Sequence, residues 1–146
     1  MNKSIIIKDS ILAAMAVVGS AVAKSLGGWD NALQTLIIFM AIDYITGVLV
    51  AAVWKRSNKS ESGALESRAG FKGLIRKSTI LLVVWVSVQL DLVLTMDGFS
   101  RTAVVLFFCG NEGLSIIENL GIMGVPLPDF IKDKLEQLKG KAPTNF

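Results

Sequence analysis

The chain has 146 residues, enough for one domain, with 52% hydrophobic and 18% charged residues and a mean hydropathy of +0.57. Soluble domains carry about 25% charged residues, so this chain is short of the polar surface that water requires. Its net charge of +3 sits in short segments beside apolar runs, which argues for a membrane topology and against a nucleic-acid partner. With no histidine and a single cysteine, Cys109, a disulfide framework, a structural zinc site and histidine-based catalysis are excluded within one chain, and no cofactor or metal is expected.

The expected architecture is an all-α integral membrane protein with four transmembrane helices, followed by an amphipathic helix, in one domain. The first segment has only 14 uncharged residues between Asp9 and Lys24, extended by Ile5-Ile6-Ile7. Lys8 and Lys24 can snorkel toward opposite interfaces, which predicts a span over about 9–26. The alternative is a helix lying in the interface plane, leaving three spans. Lys3 and Lys8 ahead of Ala21-Val22-Ala23 match a removable signal only weakly. Ala13, Ala16, Ser20, Ala23 and Gly27 form a seam of small residues, so Ala16 and Ser20 are candidate helix-packing positions.

Ala32–Trp54 predicts a second span (about 32–54) with one charge, Asp43, at its midpoint. Asp43, Gly47 and Ala51 recur every four residues and mark a face for close backbone approach. Trp54, Lys55 and Arg56 form an aromatic-basic interface anchor. A basic loop is expected over 55–77, then a third span over 78–96 interrupted only by Asp91. The last span, about 102–123, contains Glu112 and Glu118. In the tail, Phe130, Ile131, Leu135 and Leu138 recur at helical spacing, predicting an amphipathic helix over 129–141 that rests on a leaflet or a neighbour.

Seven lysines and arginines lie within Lys55–Lys77, four follow Pro128, and Lys3 and Lys8 mark the N-terminus. With four spans these thirteen share one side, leaving Lys24 and Arg101 on the other. The positive-inside rule then puts both termini and the central loop in the cytoplasm.

Four acids lie inside apolar spans: Asp43, Asp91, Glu112 and Glu118. Each costs about 2.5–3.5 kcal/mol at mid-membrane on insertion scales. With no base at comparable depth, they are expected to be neutral, hydrogen-bonded to neighbours, or turned to a water-filled interior. Interhelical glue and a conducting or gating surface are both open readings. On the last span Asn111, Glu112, Ser115, Glu118 and Asn119 form a polar stripe opposite Ile116, Ile117 and Leu120. That side must meet protein or water. A rival reading takes Ser115 and Glu118 as a capping box after a break at Gly113. No phosphate loop, metal-ligand cluster or nucleophile elbow is present in the sequence, so no enzyme is expected.

The chain resembles the phage lysis and toxin-secretion holins. The matching elements are Asp43-Tyr44-Ile45-Thr46-Gly47 with Ala51-Ala52, and Gly70-Phe71-Lys72-Gly73-Leu74-Ile75-Arg76-Lys77. Leu90-Asp91, Asn111-Glu112-Gly113-Leu114-Ser115-Ile116-Ile117-Glu118-Asn119 and Met123-Gly124-Val125-Pro126-Leu127-Pro128 follow in the family's order. The resemblance implies a homo-oligomer that accumulates in the bacterial cytoplasmic membrane and opens a lesion, through which an endolysin or a toxin leaves. The alternative function is a small ion or proton-coupled transporter or channel subunit that uses the buried carboxylates.

Overall fold

A computed structural model describes residues 3–57 and 59–140; Asn58 and Lys141, the last residue of the expected tail helix, lie outside them. Five helices follow in order: α1 (Lys3–Ser25), α2 (Asn31–Leu49, continued by a π-helical segment Val50–Trp54), α3 (Ser67–Leu94), α4 (Phe99–Ile122) and α5 (Asp129–Gly140). The first four are long and apolar enough to cross a membrane, so the chain is an all-α multi-pass membrane protein.

Boundaries differ from the sequence reading mainly at α3. It starts at Ser67, not near 78, and shortens the central loop to 55–66. The segment before Ser78 alternates Arg68, Lys72, Arg76 and Lys77 with Phe71, Leu74 and Ile75. It continues the helix despite Gly70 and Gly73, both of which pack beside Tyr44 of α2, and its charges keep it out of an apolar run read from sequence. The helix α4 runs unbroken through Gly113, so Ser115 and Glu118 cap nothing.

Two ends organise the bundle. At the turn end lie Leu26–Asp30, between α1 and α2, and Thr95–Gly98, between α3 and α4. At the loop end lies 55–66. The central helix is α4, which packs against α2, α3 and α5. Leu33, Leu36, Met40, Ile80, Val84 and Val105 interlock in the core with Cys109. No residue of α1 is buried. Ala13, Ala16 and Ser20 are exposed, so their seam meets the other helices only at its Gly27 end, beside Arg101 and Val88.

The turn end is held by capping. Asp30 caps α2, its Oδ1 accepting from the Leu33 N–H at 2.8 Å. Gly98, at the N-cap of α4, has no side chain to do the same. Asp91 of α3 substitutes for it, accepting from the Ser100 and Arg101 N–H groups at 2.8 and 2.9 Å. Arg101 is buried, with Nε donating to the Leu26 carbonyl at 2.6 Å and Nη2 to the Gly28 carbonyl at 3.1 Å. Its Nη1 pairs with Asp30 at 2.7 Å.

The tail helix folds back along the second half of α4 rather than lying apart from it. A Cβ on Gly110 would stand 2.7 Å from the Leu135 carbonyl oxygen and 3.0 Å from the Lys139 nitrogen, and one on Gly113 would stand 2.6 Å from a Leu135 methyl. These two glycines set the depth of α5, burying Leu135 while Phe130 stays exposed. Gly113→Val should therefore displace α5 and cost about 1–3 kcal/mol through overpacking. Faster proteolysis of the tail in the purified protein checks this; an unchanged cleavage rate would mean that α5 is not held there.

Candidate functional site

The polar site is built at mid-span of α2 and α4, where α3 and the loop reach it. Asp43 reaches it because α2 turns the Leu36, Met40 and Asp43 side inward, and Glu112 because α4 faces both α2 and α3. Asp43 is 5% exposed and Glu112 2%. Between them stands Lys77 of α3, whose Nζ donates to Asp43 Oδ2 at 2.8 Å and also pairs with Glu112. Lys59, from the loop, approaches Asp43 Oδ1 at 3.3 Å and Ser115 Oγ at 3.3 Å. Asn119 Nδ2 donates to Asp43 Oδ1 at 3.2 Å and to Thr46 Oγ1 at 2.9 Å, and the Thr46 hydroxyl donates onward to the Ile42 carbonyl.

This overturns one expectation. The buried acids do not lack bases: Asp43 has two lysines and Glu112 has one. The reason is the early start of α3, which makes Lys77 a helical residue whose flexible stem carries the ammonium inward. Two carboxylates and two ammoniums leave the cluster formally neutral, and no buried side-chain nitrogen or oxygen among the described residues lacks a partner. That completeness matters, because a half-satisfied buried network is worse than an apolar core.

Of the residues singled out from sequence, Asp43, Glu112, Ser115 and Asn119 come together. Gly47 and Ala51 border the same site, a Cβ on Gly47 standing 3.8 Å from both Asn119 Nδ2 and Lys59 Nζ. Glu118 is exposed: at about 100° per residue it lies some 120° around α4 from Glu112, whereas Ser115 and Asn119 lie within about 60°. Asn111 and Glu118 instead line a neighbouring cavity. Asp91 is at the opposite end, and Trp54, Lys55 and Arg56 are exposed beside the loop. Ile116, Ile117 and Leu120 are half-buried. Sequence reading missed Lys77, Lys59, Thr46 and Arg101. The signal for Lys77 was its place directly before the apolar run that starts at Ser78.

The arrangement can do one thing chemically: it holds three helices and a loop together through charge pairs that water could replace. Among the described residues it offers no nucleophile with a base and no set of metal ligands.

Comparison with known proteins gives a consistent picture. Residues 20–140 match the model of the bacteriophage holin family. An uncharacterized protein of Clostridium perfringens is 38% identical over 116 residues, covering 79% of this chain and 80% of its own length. A protein of Listeria innocua, also uncharacterized, is 36% identical over 129 residues, 88% of this chain and 84% of its own. A probable holin of Bacillus phage phi105 is 38% identical over 107 residues, 73% of each chain. No solved structure matches.

Proposed function

The chain belongs to the bacteriophage holin family, a non-enzymatic membrane family, and on that premise we propose that it assembles with copies of itself in the bacterial cytoplasmic membrane and opens a lesion for an endolysin or a toxin. The observation that carries this reading is the Asp43–Lys77–Glu112 network. It closes the polar side of α4 against α2 and α3, and each of its contacts can be exchanged for water when helices separate. Asn119 and Ser115 extend the same side. In the open state this face of α4 lines the lesion and the half-buried Ile116 and Ile117 side turns to lipid.

Induced expression in bacteria tests the function. Abrupt loss of membrane potential with release of a co-expressed cell-wall hydrolase is expected. Small-ion flux without protein release would favour the alternative, a proton-coupled channel subunit, for which the buried carboxylate chain is the supporting feature.

The proposed topology places both termini and the loop in the cytoplasm, from the cation asymmetry of thirteen to two. Reporter fusions at the N-terminus, near Ser60 and after the tail should all read cytoplasmic; an external N-terminus would leave only three spans.

Lining is tested by single cysteines in a background with Cys109 replaced. Glu112→Cys, Ser115→Cys and Asn119→Cys should react with water-soluble thiol reagents only after triggering. Labelling of Ile116→Cys and Ile117→Cys, with the first three protected, would reverse the lining face. Glu112→Gln should still assemble and shift the time of lysis, whereas Glu112→Leu should abolish hydrolase release.

A further inference from the structure

Next to the Lys77 network, the loop end carries a second cavity that the bundle's own packing does not use. It is an open depression of about 320 Å³, at the lower end of the range of about 300–1,000 Å³ usual for ligand sites. Lys59 of the loop, Arg76 of α3 and Lys139 of α5 line it, together with Asn111, Ser115 and Glu118 of α4. Lys59 is already balanced by Asp43, so the charges left to the cavity are Arg76 and Lys139, from two separate elements, against the one carboxylate of Glu118. The ion pairs among the described residues use Lys59, Lys77 and Arg101. Arg76 and Lys139 have no carboxylate partner there.

Depth identifies what could neutralise them. At about 1.5 Å per residue, Glu118 lies about 28 Å along α4 from Phe99 at the turn end, and Arg76 about 27 Å along α3 from Leu94. The hydrocarbon core of a bilayer is about 30 Å thick. The mouth of the cavity at Arg76 and Glu118 therefore lies at the edge of the hydrocarbon, within side-chain reach of lipid phosphates, while Asn111, about 18 Å from Phe99, lines its deeper end. Beside Arg76, Leu74 and Ile75 are each 51% exposed, an apolar surface suited to acyl chains.

We propose that this cavity binds the phosphate of an anionic phospholipid head group. The guanidinium of Arg76 has the planar fork that matches phosphate oxygens, and Lys139 adds a point charge. Asn111 and Ser115 carry donors for the remaining oxygens. Glu118 opposes the ligand and keeps the site selective for a head group with uncompensated negative charge. A zwitterionic head group brings its own ammonium and gains little. Binding requires only that the protein be in a membrane or micelle, not that it lyse cells.

The test is calorimetric titration of the full chain in neutral detergent with short-chain phosphatidylglycerol, short-chain phosphatidylcholine and inorganic phosphate in separate arms. Saturable binding is expected for phosphatidylglycerol alone. Arg76→Gln and Lys139→Gln should each weaken it about fivefold, the loss ordinary for one cation at an anionic surface. Glu118→Gln should tighten it by a similar factor, an increase that a merely structural role would not produce. Lys132→Gln, on an exposed part of α5 outside the cavity, should change nothing. Equal binding of phosphatidylcholine would overturn the proposal in favour of apolar docking, and equal binding of phosphate in favour of a free-anion site. A loss in Lys132→Gln as large as in Arg76→Gln would reduce it to diffuse surface charge. No tightening in Glu118→Gln would also overturn it. Because none of these arms reads lysis, they stand or fall separately from the lesion proposal.

Discussion

Lys77→Met should destabilise the purified protein by about 3–5 kcal/mol, the loss typical when one partner of a buried ion pair is removed. Methionine keeps the length and apolar bulk of the lysine stem, so the change isolates the charge. Its removal leaves Glu112, whose side chain is 2% exposed, with no cation, and leaves Asp43 with Lys59 alone at 3.3 Å. Adding Glu112→Gln to Lys77→Met should restore much of the loss, because the orphaned charge is then gone. Denaturant unfolding of the four proteins of this double-mutant cycle measures the coupling. A loss below about 1 kcal/mol for Lys77→Met would mean that water already screens the network, as at a surface pair.

Arg101→Met should cost about 2–3 kcal/mol, as expected for losing hydrogen bonds from a charged donor. The guanidinium ties the Leu26 and Gly28 carbonyls to the Asp30 carboxylate, joining the first turn to the start of α4. It also makes the turn end acid-sensitive. The hydrogen bond from Arg101 holds the Asp30 carboxyl below its ordinary value of 3.8. A depressed folded-state value means that the stabilisation is fully present above 3.8 and is lost as pH falls through the lower, folded value. Stability of the parent protein should therefore decline on that acid side, and the Arg101→Met protein should show a shallower decline. Parallel acid unfolding curves for the two proteins would show that Asp30 is not the linked group.

Number and type of helices are legible in this sequence because length and apolarity of a run are one-dimensional properties. Ala32–Trp54 fills a 23-residue window and appears in the structure within a residue of its limits. What surrounds the acids is not legible in the same way. Hydropathy closes the third span at Ser78, and Lys77 falls just outside it, although the helix continues back to Ser67. The same cut hides the approach of Lys59, which depends on how the short loop folds over Asp43 and Ser115. Arg101 is read from sequence as a cation facing the far side; its role needs the carbonyls of residues about 75 positions earlier. Gly110 and Gly113 are equally mute, since only the return of α5 shows why a side chain is excluded there. Asp91 was visible as an acid in a span, but not as the missing cap of the next helix.

The position of the Asp43–Lys77–Glu112 network also fixes how thick the permeability barrier is. Asp43 stands about 18 Å along α2 from Asn31, and Glu112 about 20 Å along α4 from Phe99. The dry interlock of Leu33, Leu36, Val84 and Val105 fills only the stretch between them and the turn end. On the outside, Ile38, Ile42, Ile45, Leu49 and Val53 keep α2 greasy over its full length. Lipid thus meets a wall as tall as the membrane, while inside the bundle the apolar interlock gives way to the charged network about 18–20 Å from the turn end, with Val50 and Ala51 buried beyond it. In the proposed lesion-forming role, helices that separate by a few ångströms at the turn end would open the apolar interlock that stands between the network and that side.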